Sequence, residues 1–162
     1  MAYTIYAMGA ASRFQDNDSK IGFWCYYLRT PGHSELQCDV IQDEEKVSAP
    51  KMELQAVIEA LKVCKALKPN TSNTTVKIYT TNQQYFEQCF DRPESRKKNK
   101  DLWNKIDKLQ IDKGLIGFPG DLDTNVKASR GMTIVKEALE DTKTHDHIWN
   151  ANLAHPNLNK II

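Results

Sequence analysis

The stretch KMELQAVIEALKVCKAL, residues 51–67, decides how the rest of the chain is read. Ala, Leu, Glu and Lys dominate it, its apolar residues recur at helical spacing, and Pro69-Asn70 follow its end. That pattern predicts an α-helix from Met52 to Leu67. At about 100° per residue, Val57, Ala60 and Cys64 fall within about 40° of Glu53, whereas Gln55, Glu59 and Lys62 fall on the opposite side. Glu53 therefore projects from the apolar face near the helix start, toward whatever the helix packs on. An acid there costs several kcal/mol unless a partner or a ligand compensates it. Two explanations stand at this point: a first-turn Glu favoured by the helix dipole and reaching a backbone N–H, or a metal ligand facing the ends of strands.

Upstream of this helix, residues 3–7 favour a strand that Gly9-Ala10-Ala11-Ser12 would end. KIGFWCYYLRT (20–30) is a β-branched and aromatic run closed by the turn signal Pro31-Gly32, and SELQCDVI (34–41) alternates polar and apolar residues. These three runs predict an antiparallel meander. Downstream, residues 76–80 form a short strand without a hairpin partner, helices fill 83–90 and 100–110, and GLIGF (114–118) is a last strand. Residues 124–141 read as a final helix, and 142–162 as a polar C-terminal tail of unassigned order. Three strands, a helix, and then strands alternating with helices imply an α/β class with a five-stranded mixed sheet and helices on both faces. One domain over residues 1–141 accounts for the pattern.

The bulk numbers fit that reading. The chain has 162 residues, 40% hydrophobic and 27% charged, and a formal net charge of +1. That balance neither favours nor excludes nucleic acid, so only local patches can. No stretch approaches the ~20 apolar residues needed to span a bilayer, and the N-terminus MAYTIYAMGAASRF lacks the basic-then-apolar layout of a secretory leader. Cys25, Cys38, Cys64 and Cys89 are widely spaced with no CxxC pair, which reads as four reduced thiols in a cytoplasmic protein.

Five segments, in order, carry a resemblance to the ribonuclease H family. KMELQAVIEALKVCKAL resembles the family's central helix with its Arg-Met-Glu-Leu opening. IYTTNQQYF (78–86) resembles its strand–turn Thr-Asp-Ser-Gln-Tyr-Val, matching at Thr81, Gln84 and Tyr85. KKNKDLWNKIDKL (97–109) resembles its Lys-Asn-x-Asp-Leu-Trp helix start at Lys98, Asn99, Asp101, Leu102 and Trp103. IYAMGAAS (5–12) aligns with the first strand, where the family reads Asp-Gly-Ser or Asp-Gly-Ala, and NVKASRGM (125–132) resembles its Asn-Glu-x-Ala-Asp segment at Asn125 and Ala128. The resemblance implies a ribonuclease H-like fold.

It also implies a reaction that this chain is not equipped to perform. The family hydrolyses the RNA strand of RNA–DNA hybrids with two Mg²⁺ ions, hard cations that want carboxylate oxygens. Of its four acids only Glu53 is present: Met8, Asn82 and Ser129 replace the others, and GFPGDLDTN (117–125) lacks the family's mobile histidine. A thioether, an amide and a hydroxyl do not substitute for three carboxylates, so Mg²⁺ is not expected to bind as in active members, and no other cofactor is implied. Asp16, Asp18, Asp121 and Asp123 offer a relocated metal site, although loop acids are more often caps or solvated charges. His145, His147 and His155 read as a solvated segment rather than a zinc site.

Nucleic-acid binding needs no metal. The resemblance places Lys46, Ser48 and Asn99 at a pocket for a phosphate of the DNA strand, and Gln84 at a minor-groove contact, while Ala49-Pro50 replace an Asn pair of the family. The densest basic run, Arg92, Arg96, Lys97, Lys98 and Lys100, is either a solvated loop before a helix or part of such an interface. The expected function is an inactive ribonuclease H-like module, a pseudoenzyme that binds RNA–DNA hybrid or duplex nucleic acid. The alternatives are a scaffold with a protein partner and, less favoured, a nuclease with relocated ligands.

Overall fold

In the computed structural model, residues 2–13, 20–42, 47–67, 75–109, 116–117 and 129–151 are described. The β-branched and aromatic runs build a meander of β1 (Ala2–Arg13), β2 (Lys20–Thr30) and β3 (His33–Gln42), with β2 antiparallel to both neighbours. Helix α1 (Ala49–Ala66) carries the chain across the sheet, and β4 (Thr75–Tyr79) then pairs parallel to β1. Helix α2 (Gln83–Asp91), a single 3₁₀ turn (Pro93–Ser95) and α3 (Lys100–Lys108) follow. A two-residue segment, β5 (Ile116–Gly117), adds parallel to β4, and α4 (Ser129–Ala151) closes the described chain. The spatial order is β3-β2-β1-β4-β5. Where five full strands were expected, the mixed sheet has four of five or more residues, and β5 is only a two-residue ladder on the flank of β4.

Strand alternation divides the sheet into two buried faces. Tyr3, Ile5 and Ala7 of β1, with Trp24, Tyr26 and Leu28 of β2, pack beneath Val57, Ala60, Leu61 and Cys64 of α1 and alongside Phe86, Trp103 and Ile106 of α2 and α3. The intervening residues Tyr6, Phe23, Cys25, Cys38 and Tyr79 meet Val135, Ala138 and Leu139 of α4. Among the described residues, no helix is long and apolar enough to cross a membrane.

The structure departs from the sequence expectation at several points. Strand β1 does not end at Gly9 but pairs with β2 as far as Arg13 opposite Lys20. Its small residues are there because α1 crosses closely: a Cβ on Gly9 would lie 2.2 Å from the Glu53 nitrogen. Helix α4 runs to Ala151, ten residues into the segment first read as a tail, while 124–128 and 152–162 lie outside the described residues. The expectation of four reduced thiols is corrected by a Cys25–Cys38 disulfide. The tight Pro31-Gly32 turn sets the β2–β3 register so that these two cysteines face each other directly, which a spacing of 13 residues does not disclose by itself. Cys64 and Cys89 stay free and buried, and burial pushes the Cys64 thiol up to about 12, as befits a small core residue.

Candidate functional site at the ends of the parallel strands

Tyr6 of β1 lies opposite Tyr79 of β4, so Met8 and the β4 exit at Thr80-Thr81-Asn82 reach the same level of the sheet. The close approach of Gly9 to α1 sets Glu53 over that level. Three of the four positions that the resemblance assigns to acids thus converge on one corner.

Glu53 has a partner that the sequence reading did not name. The hydroxyl of Thr81 donates to its Oε2, and the Thr81 N–H reaches the same oxygen at 3.4 Å. The carboxylate does meet a backbone N–H, but one from the β4 exit rather than from its own helix. Burial pushes its pKa above the ordinary value of 4.5, and the two Thr81 hydrogen bonds draw it part of the way back. The sign of the pH dependence follows. The unfolded chain ionises this group near 4.5, the folded chain only at higher pH, so its contribution is fully present below the unfolded value and is lost as pH rises through the folded one. Glu53→Gln keeps an acceptor for Thr81 without the charge. The variant is expected to gain stability relative to wild type on moving from pH 4 to pH 7, measured as urea midpoints across that range. A constant difference across the range contradicts the assignment.

The other positions in the corner do structural work. The Asn82 side chain caps α2 by accepting from the Tyr85 N–H at 3.4 Å. Gln83 clamps the strand exit, accepting from the Thr80 N–H at 2.7 Å and donating to the Ile78 carbonyl at 2.8 Å. Met8 is half-buried and packs against the α4-side core. Ser129 is the first residue of α4, and its side chain lies outside the described residues. Two residues further on, Gly131 sits against the Tyr6 ring, with room for no Cβ: one would fall 2.3 Å from ring carbons. The start of α4 is therefore pressed onto β1 just before Met8. A packed thioether, a capping amide and one carboxylate already accepting twice form a donor set that does not fit a pair of Mg²⁺ ions. Among the described residues, no three His, Cys, Asp or Glu side chains come together as a metal site. Asp16, Asp18, Asp121, Asp123 and His155 lie outside the described residues, as do the side chains of His145 and His147.

The proposed nucleic-acid contacts are only partly placed. Lys46 lies outside the described residues. Ser48 is the N-cap of α1, its oxygen accepting from the Lys51 N–H at 3.3 Å, which leaves its hydroxyl proton to donate. Pro50 falls in the first turn of α1, where a missing N–H costs the helix nothing. Asn99 caps α3 in the left-handed region at φ 59° and makes no side-chain capping bond, so its amide is not committed to the helix start. Lys97, Lys98 and Lys100 around it are exposed, as is Gln84 on α2. Arg96 is a correction to the solvated basic run. It is buried, donating to Asp107 at 2.6 and 3.1 Å, to the Cys89 carbonyl at 2.6 Å and to the Phe90 carbonyl at 3.3 Å, and its guanidinium lies 4.7 Å from the Trp103 ring centroid.

No family model and no curated protein matches this sequence. Solved structures do match the fold. A ribonuclease H1 (LC11) isolated from compost by a metagenomic approach superposes with a TM-score of 0.60 at 15% identity, over 86% of this chain and 96% of that one. Ribonuclease H1 from the halophilic archaeon Halobacterium salinarum gives 0.52 at 17% identity, over 87% and 99%. The LC11 enzyme in complex with an RNA/DNA hybrid gives 0.56 at 14% identity, over 86% and 97%. The chain has a ribonuclease H-like fold.

Within this ribonuclease H-like domain, the residues that sequence reasoning missed are those whose role depends on a distant partner. Thr81 stood in view as a matched position, but its hydroxyl acquires a purpose only when α1 brings Glu53 across 28 residues of chain. Gln83 and Arg96 likewise act on backbone carbonyls, which leave no residue-type signal in a sequence.

Proposed function

We propose that this ribonuclease H-like domain does not carry out metal-dependent hydrolysis and instead binds RNA–DNA hybrid or similar duplex nucleic acid through backbone phosphates. The observation that carries the reading is the corner itself: its one acid is bonded to Thr81, its amide caps a helix, and its thioether is part of a core. Without three carboxylates the described residues of this corner cannot hold two metals or neutralise a leaving oxygen. The binding half rests on the exposed lysines around Asn99 and on the Ser48 hydroxyl at the start of α1. Groups of this kind hold phosphate by charge-assisted hydrogen bonds and read no sequence. It is also supported by the fold's likeness to a ribonuclease H1 in complex with an RNA/DNA hybrid.

Titration of a fluorescent RNA–DNA hybrid between 50 and 200 mM salt tests the binding. Affinity is expected to fall steeply with salt, and Lys98→Ala to weaken it at every sequence while reducing the log–log salt slope by about 0.9. Asn99→Ala should weaken it without changing the slope. Undetectable binding at 50 mM salt, or full affinity in the Lys98→Ala, Asn99→Ala double variant, sinks the reading.

A further inference from the structure

Strand β3 is the long edge of the sheet, whereas β5 at the opposite edge has two residues. The hairpin decides which way its backbone groups point. Thr30 and His33 flank the two-residue turn and pair directly, so hydrogen-bonded pairs recur at Leu28–Glu35, Tyr26–Gln37 and Trp24–Asp39. Ser34, Leu36, Cys38 and Val40 therefore turn their N–H and C=O groups away from β2. The Val40 donor is already taken: it donates to Asp39 Oδ1 at 2.7 Å, which closes the edge from that point on. Among the described residues, the N–H groups of Ser34, Leu36 and Cys38 meet no acceptor. From Ser34 to Cys38 the edge has no lysine, proline or bulge to guard it. The Cys25–Cys38 disulfide also ties this stretch to β2, so its outward groups are held in place.

We propose that this edge pairs antiparallel with the same edge of a second copy of the chain, about a two-fold axis at Leu36. In that register Ser34 lies opposite Cys38 of the second copy, and Leu36 opposite Leu36 of the second copy. These are hydrogen-bonded pairs built only from the outward groups that Val40 does not share. On the α1 side, His33 then faces Asp39 of the second copy, and Glu35 faces Gln37 of the second copy. Each carboxylate meets an imidazole or an amide. Neighbouring registers do not offer this. An axis at Glu35 sets that residue against itself, and like charges directly opposite are destabilising. An axis at Gln37 sets Glu35 against Asp39 of the second copy and needs the Val40 N–H that Asp39 holds. Glu35 keeps its bonds to Tyr26 and His33 throughout, so the side chains select the register while the backbone carries the association. His33, Ser34 and Gln37 are exposed, which leaves the edge open to approach. A strand pair this short buries less surface than a permanent dimer needs, so the dissociation constant is expected near about 100 μM.

The test uses the full chain without reductant, by sedimentation from about 10 μM to about 1 mM. A monomer–dimer equilibrium is expected. Amide exchange should slow with concentration at Ser34, Leu36 and Cys38 and stay constant at Val40. Leu36→Lys and Leu36→Glu should each stay monomeric, because residue 36 meets its own copy on the axis, and an equimolar mixture of the two should dimerise again. That recovery is the signature of a two-fold pair, which an extended segment of another protein would not give. A monomer at every concentration, a dimer protected at other residues, or a mixture no tighter than either variant overturns the proposal. Slow exchange at the three amides already in the monomer also overturns it, since another segment then covers the edge. If either charged variant fails to fold, Ser34→Pro, which removes one outward N–H at an exposed position, should weaken the dimer at least tenfold. Unchanged dimerisation in that variant overturns the proposal as well.

Discussion

Gly9→Ala is expected to lower the unfolding free energy by about 3 kcal/mol, at the upper end of what overpacking costs. The added methyl would sit 2.2 Å from the Glu53 nitrogen, 2.4 Å from the Met52 carbonyl carbon and 2.6 Å from the Met52 Cβ. Two of those atoms are backbone within a helix and cannot rotate aside, so α1 as a whole must retreat from β1. That movement would loosen the layer formed by Ala7, Val57 and Ala60, all fully buried. In a chain of this size the loss corresponds to a melting temperature about 6–12 °C lower, read by circular dichroism. Gly32→Ala is the control: nothing lies within 4 Å of its Cβ position, and the change should fall within about 0.5 kcal/mol. Equal behaviour of the two variants would mean that α1 does not cross β1 at Gly9.

Arg96→Ala is expected to cost a similar amount, about 3 kcal/mol, for a different reason. The side chain is 7% exposed and joins the end of α2 to α3 by donating to two carbonyls and to both oxygens of Asp107. Its removal strands the Cys89 carbonyl and uncovers the Trp103 ring, each a loss of about 1–3 kcal/mol, while Asp107, 39% exposed, turns to water for its lost partner. Arg96→Lys should recover only part, because one ammonium cannot serve three acceptors in a planar fork. The contrast with Lys98, two positions away, separates structural from binding charges in one basic run. Arg96→Ala should reduce stability and leave hybrid affinity per folded molecule intact, whereas Lys98→Ala should do the reverse. Both are measured by urea unfolding beside the hybrid titration.

How much of this was legible in the sequence depends on whether local pattern or distant contact decides the residue. The 3.6-residue period placed Glu53 on the buried face of α1, and the aromatic and β-branched runs marked β2, β3 and β4, because those signals are local. Strand β1 was read short because Gly9, Ala10 and Ala11 have weak strand propensity; pairing with β2 and the passage of α1 override it. The Cys25–Cys38 bridge depends on hairpin register, and the burial of Arg96 depends on three acceptor residues on two separate helices. At the site, residue type alone shows that Met8 and Asn82 carry no carboxylate where the resemblance expects acids, but not what their side chains do instead. Asn82 is a cap because α2 starts at Gln83, and Met8 packs with the core because α4 covers that side of the sheet.

The central claim is that the fold persists without its hydrolytic chemistry. The most direct measurement incubates the purified chain with an end-labelled RNA–DNA hybrid and Mg²⁺ or Mn²⁺, beside a variant carrying Met8→Asp, Asn82→Asp and Ser129→Asp. The chain itself should retain the hybrid without cutting it, and the triple variant should gain divalent-metal-dependent cleavage of the RNA strand that Glu53→Gln removes. Cleavage by the unaltered chain that survives repurification and is abolished by Glu53→Gln would contradict the account.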